Sequence, residues 1–251
     1  MRPYPSVSAA AIAALVAGLV ALIIPAGAAH AQIAIDREVV LLNPMQPTER
    51  VAEFVVQNSG AAQLQATVNL QDWDVDTRGE SHWRKAGRVA GSCGDRVSVS
   101  PRVLHLAPGE RQTVQVTVSG GAHFDAECWS AAVVKPSNAT QPTSVPVYVT
   151  PTSATVDGEA RDMFVKGDSL EVVFANTGTV RAEVVGEVQL RTAGDSLVLT
   201  IPLENATVLA GATRHFMVAM PRIAPGSYVL YGVFDFGGAA LTVAQAALTI
   251  R

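Results

Sequence analysis

The sequence predicts an all-β chain of two sandwich domains in tandem, and three observations carry that prediction. Apolar residues fall in runs of about five to eight, rich in Val and Thr and bounded by Gly, Pro, Asn or Asp. No segment of the mature chain reads as a long amphipathic helix. The order of strand and turn signals in the first half of the chain recurs in the second half.

The N-terminus is read first, because it is set apart from the fold. Arg2 supplies a basic start, and residues 9–24 contain no charge or strongly polar group. Pro25 and Gly27 then break the run and lead to Ala29-His30-Ala31, an A-x-A cleavage pattern. Residues 1–31 are therefore expected to be a signal peptide cleaved after Ala31. The alternative is an uncleaved anchor, but the apolar run is shorter than the roughly 20 residues that span a bilayer. No cysteine stands at the cleavage point to take a lipid, and no later segment approaches membrane-spanning length. A soluble mature chain with no membrane span is expected, in the periplasm or, as the alternative, at the cell surface.

Removing 31 of the 251 residues takes one Arg with it, so the formal charge moves from −4 to −5. A mildly acidic chain without a basic cluster lacks the charge that dominates affinity for phosphate polymers, which excludes nucleic acid as a partner. The remaining length suits two domains near 100 residues each.

Cys93 and Cys128 are the only cysteines. In an oxidising exported compartment they are expected to form a disulfide, which closes a loop of about 35 residues and contributes roughly 4 kcal/mol on a chain-entropy model. The competing reading is a two-cysteine metal or redox site. It lacks both a C-x-x-C spacing and a histidine at ligand spacing.

The strands follow in order. A first strand is read over residues 33–42, then 50–56, ended by Asn58-Ser59-Gly60, then 66–73. Ala107-Pro108-Gly109-Glu110 is a tight turn in which Pro presets one backbone angle and Gly takes the left-handed one. Strands over 111–118, 129–134 and 145–149 complete the set. Phe54-Val55-Val56-Gln57-Asn58-Ser59-Gly60 is echoed by Val172-Val173-Phe174-Ala175-Asn176-Thr177-Gly178, with a left-handed turn expected after each Asn. The turn at Leu106 to Val114 is echoed from Leu209 to Phe216. These repeats define two immunoglobulin-like domains, 32–151 and 163–251, joined by a Thr-, Ser- and Gly-rich linker over 152–162.

Residues 100–116, Ser-Pro-Arg-Val-Leu-His-Leu-Ala-Pro-Gly-Glu-Arg-Gln-Thr-Val-Gln-Val, together with Ile35-Asp36-Arg37, Val56-x-Asn58 and Trp73, resemble the first domain of the periplasmic chaperones of pilus assembly. The chain is identified as similar to a divergent member of that family. The resemblance implies a non-enzymatic periplasmic protein whose partners are an exported, pilin-like subunit and an outer-membrane usher. Binding in the family adds a strand to the client through alternate apolar side chains. Here those are Val145, Val147 and Val149 on the last strand of domain one, with the strand over 33–42 as a second contributor. In the family two basic residues hold the client's terminal carboxylate. The aligned positions are the uncharged Val39 and Pro146, and Arg37 reaches the same strand face after a two-residue shift. The stretch before Val145 is polar and interrupted by Pro142. These departures favour a competing reading, a structural or adhesive spacer.

Other chemistry is weaker. Asp72, Asp74 and Asp76 alternate as a calcium loop requires, but the sixth position is Thr77 rather than Gly, and a solvated strand face is the simpler reading. His82, His105, His123 and His215 show no paired spacing, and no serine has a nucleophile-elbow context. No catalytic residue, metal or cofactor is assigned. Trp129 is expected in the core, and Trp83, between His82 and Arg84, is the better exposed contact.

Overall fold

The computed structural model describes residues 33–121, 123–137 and 141–251. Residues 1–31, read as a signal peptide, lie outside the described residues, as do three positions of the loop before Val145. The described residues contain strands and two short 3-10 turns, and no helix among them is long and apolar enough to cross a membrane.

The first sandwich holds β1 (Ile33–Ile35), β2 (Val40–Leu42), β3 (Val51–Asn58), β4 (Leu64–Val75), β5 (Ser81–Lys85), β6 (Val97–Ser100), β7 (Val103–Leu106), β8 (Arg111–Val118), β9 (Cys128–Pro136) and β10 (Thr143–Val149). One sheet runs β1-β3-β8-β6 and the other β2-β10-β9-β4-β5, with β7 also on β4. Alternate residues of each sheet face inward, and Phe54, Val68, Leu104, Val114 and Val147 fill the space between them. The second sandwich holds β11 (Gly158–Lys166), β12 (Ser169–Asn176), β13 (Ala182–Thr192), β14 (Leu197–Pro202), β15 (Ala206–Val208), β16 (Thr213–Ala219), β17 (Gly226–Asp235) and β18 (Thr242–Ile250). Its sheets run β11-β12-β16 and β14-β13-β17-β18, with β15 on β13. Phe174 sits at the centre of its core, 6.4 Å from Phe234 and 5.8 Å from Phe236 between ring centroids. The chain is thus two all-β, immunoglobulin-like sandwiches.

Three sequence expectations are corrected. The first strand is two strands, because the Asp36 side chain accepts the Val55 amide at 2.7 Å and the chain then crosses through residues 36–39 to the other sheet. The linker narrows, since β11 begins at Gly158 inside the segment read as 152–162. A register shift between Ala160 and Asp162 disturbs the alternation that marks a strand. The turns after Asn58 and Asn176 need no left-handed residue. Each buried Asn instead anchors its turn through its side chain, and the left-handed glycines of the repeat are Gly109 (φ 77°) and Gly211 (φ 72°).

The predicted disulfide joins Cys93 to Cys128, whose Cα atoms are 4.9 Å apart.

Candidate functional site

β10 is where the sequence placed partner binding, and its two long sides differ. Along one side it pairs with β9 over its whole length, from Thr143 to Val149. Along the other, β2 runs parallel to it only from Val147 to Val149, opposite Val40 to Leu42. Residues 143–146 therefore have no strand on that side among the described residues, and their backbone edge is open. Pro146 removes one donor from this edge, a feature edge strands tolerate. Arg37 lies in the bend just before β2, exposed and without a hydrogen bond or ion pair among the described residues.

Val145, Val147 and Val149 are 1 %, 0 % and 0 % exposed and belong to the domain's own core. Their side chains are already committed between the two sheets. What β10 offers outward is its backbone edge, together with the opposite face that carries Ser144 and Pro146.

That opposite face holds a groove of about 430 Å³ lined by Gln71, Trp83, Val133, Gln141, Pro142 and Ser144. It begins beside the open edge and crosses β9 and β4 to Trp83 on β5. Trp83 is 47 % exposed, as the sequence suggested. The smallness of Ser144 leaves the groove open toward the edge.

Lower on the same face, the second sandwich covers the sheet. Trp73, Trp129 and Tyr148 form an aromatic cluster closed by Leu209 of the second domain, with Trp73 and Tyr148 edge to face at 6.4 Å. Trp129 is buried as expected, but in this interface and not between the sheets. Its indole N–H donates to the Trp73 carbonyl at 2.7 Å.

Charge completes the contact. Glu127, 5 % exposed, accepts from the Arg181 guanidinium at 2.5 Å and from the Arg181 amide at 3.0 Å. The guanidinium carbon of Arg181 stands 4.0 Å from the Tyr148 ring centroid. Burial raises the Glu127 carboxyl above its usual range, and burial also pushes the Tyr148 hydroxyl up to about 12. At the other end of the interface the His215 amide donates to the Thr77 carbonyl at 2.6 Å, and Gly79 lies against the Arg214 guanidinium.

Sequence reasoning missed Glu127, Tyr148 and Arg181. One signal was present: residues 128–134 of β9 are buried on both faces, and a strand apolar on both faces implies a second covering layer.

The aspartate series does not form one solvated face. Asp72 is fully buried, accepting the Arg88 amide at 2.9 Å and the Ser130 hydroxyl at 3.2 Å. Its neighbours diverge because the strand's inner face meets the loop after β5. Asp76 accepts the amides of Arg78 and Glu80 in the hairpin turn, and the Glu80 amide chiefly holds its carboxyl below the ordinary range. The histidines do not gather. His82, His123 and His215 each face a different carboxylate, those of Asp76, Asp125 and Glu171.

No family model and no curated protein matches the sequence. Solved structures do match. The class 5 fimbriae chaperone CfaA superposes with a TM-score of 0.53 at 10 % identity, covering 88 % of this chain and all of that one. The two-sandwich fold is similar to that of this solved fimbrial chaperone. A chain from a chaperone-tip adhesin complex described as vital for activating CFA/I fimbriae biogenesis superposes on the chaperone-like fold with a TM-score of 0.53 at 9 % identity, over 84 % of this chain and 97 % of that one. A chain from the CsuC-CsuE chaperone-tip adhesion subunit complex of Acinetobacter baumannii matches at 15 % identity and a TM-score of 0.47, over 75 % of this chain and 91 % of that one.

Proposed function

We propose that the protein is a non-enzymatic periplasmic chaperone, exported by a signal peptide cleaved after Ala31, that binds an exported, pilin-like subunit at the open edge of β10. The observation that carries this reading is the half-covered strand: β2 begins only opposite Val147 and leaves residues 143–146 without a partner strand on that side among the described residues. A client strand entering there gains main-chain hydrogen bonds, which supply affinity without regard to sequence. Because Val145, Val147 and Val149 face the chaperone's own core, selectivity falls to the opposite face. There a large client side chain passes over Ser144 into the groove that ends at Trp83. Arg37, exposed three residues ahead of the start of β2, offers a cation to a client carboxylate, in place of the uncharged Val39 and Pro146. An outer-membrane usher is the second partner of this reading.

The test is capture from the periplasm of exported, pilin-like subunits of the same cell, each co-expressed with the protein. The Trp83→Ala and Arg37→Glu variants are expected to lower recovery of the subunit at least tenfold while the protein stays folded. Equal recovery with both variants sinks docking at this edge.

One observation favours a second reading. The buried valines and absent paired cations are what a spacer module that binds no client would have. Wild-type protein that recovers none of those subunits supports the spacer.

A further inference from the structure

We infer that the Cys93–Cys128 disulfide is a redox-sensitive brace for the interface between the two sandwiches. Three consecutive residues join the bond to the second domain. Glu127 holds Arg181 of the second domain, Trp129 packs against Leu209 of the second domain, and Cys128 between them is bonded to Cys93. In extended backbone, neighbours point to opposite faces, so Cys128 faces the core of the first sandwich while Glu127 and Trp129 face the second.

The far end of the disulfide fixes the loop that backs Trp129. Cys93 donates its amide to the Trp129 carbonyl at 3.3 Å, and Trp129 donates its own to the Gly91 carbonyl at 2.8 Å. Gly91 lies so close to the indole that a Cβ there would overlap the ring. The Glu127 amide in turn donates to the Thr179 carbonyl of the second domain at 2.6 Å. The bond therefore clamps both the strand end that meets the second domain and the loop that supports it. Both cysteines also belong to the core of the first sandwich, so the experiment has to separate bracing of the interface from stapling of that core.

Cleavage would proceed by thiol-disulfide exchange. A thiolate of a dithiol reductant attacks one cysteine sulfur and releases the other as a thiolate. The reductant's second thiol then displaces the first cysteine, leaving two protein thiols and an oxidised reductant. Both cysteines are buried, so exchange requires the exposed loop over residues 86–96 to open first.

The experiment uses isotope-labelled mature chain, oxidised, then reduced with dithiothreitol, and beside it the double variant Cys93→Ala, Cys128→Ala. Amide residual dipolar couplings report the orientation of each domain. In the oxidised protein one alignment tensor is expected to fit both domains. In the reduced protein and in the variant, each domain is expected to keep its dispersed amide spectrum while the two tensors separate, and proteolysis within residues 150–157 to quicken at least tenfold. A single shared tensor after reduction overturns the inference. So does loss of dispersion from the first domain, which would make the bond a staple of that core.

Discussion

Asn58 and Asn176 make the same three hydrogen bonds in two different sandwiches. Each side-chain amide donates to the carbonyl four residues on, Ala62 or Val180, and to a carbonyl on a strand of the opposite sheet, Leu106 or Val208. Each side-chain oxygen accepts the amide two residues on, Gly60 or Gly178. Both residues are buried, so water cannot replace these bonds.

Alanine at either position leaves those backbone groups without their side-chain partner, which costs about 3 kcal/mol. Aspartate is expected to be worse, since it loses both donors and turns a charge toward the same carbonyls. Urea titration of N58A, N58D and their counterparts at Asn176 measures both orders. Equal stabilities for the alanine and aspartate variants would show that the amide donors do not matter.

The Val147→Asp variant is expected to unfold the first sandwich instead of blocking a partner. Val147 is wholly buried, and an ionised carboxylate without a partner there costs at least about 4 kcal/mol. Thermal melts followed by circular dichroism check this. A folded variant with a near-native midpoint would mean that this side chain is not held in the core.

The pH dependence has a sign set by Glu127. Its carboxyl is raised in the folded protein, so its contribution to stability is fully present below the ordinary glutamate range and is lost as pH rises through the raised value. Midpoints of wild type and Glu127→Gln, measured from pH 4 upward, are expected to show wild type losing ground against the variant as pH rises. A constant difference would place the Glu127 pKa at its unfolded value.

Gly91→Ala tests the loop behind Trp129. The added methyl overlaps the indole, and overpacking of this kind costs about 1–3 kcal/mol. The expected result is a lower midpoint with a red shift of tryptophan emission as Trp129 gains water. An unchanged spectrum would mean that the loop yields and the ring does not.

The sequence made the strands legible because one face of most of them is buried, and Val114, Val116 and Val118 or Val68 and Leu70 then alternate visibly with polar residues. It also showed the repeat, since a buried Asn and a left-handed Gly are residue types few others replace. The candidate site was less legible. Val145, Val147 and Val149 do alternate, but alternation cannot say whether a face meets its own domain or another chain. The interface residues Glu127 and Arg181 are far apart in sequence and ordinary in type. Asp36 ended a strand by one long-range hydrogen bond, which no local pattern records.

The pairing of β2 with β10 also bears on when the first sandwich can close. Val40 near the start of the domain lies beside Val147 near its end. Contacts so distant along the chain require a large loop to close before they contribute anything, which slows folding. A chain that emerges from a membrane channel N-terminus first would hold β2 without its neighbour until β10 had also passed. The edge proposed to receive a client is thus completed last. Until that moment the nascent protein has the same defect, a sheet missing a strand, that it is proposed to repair in others.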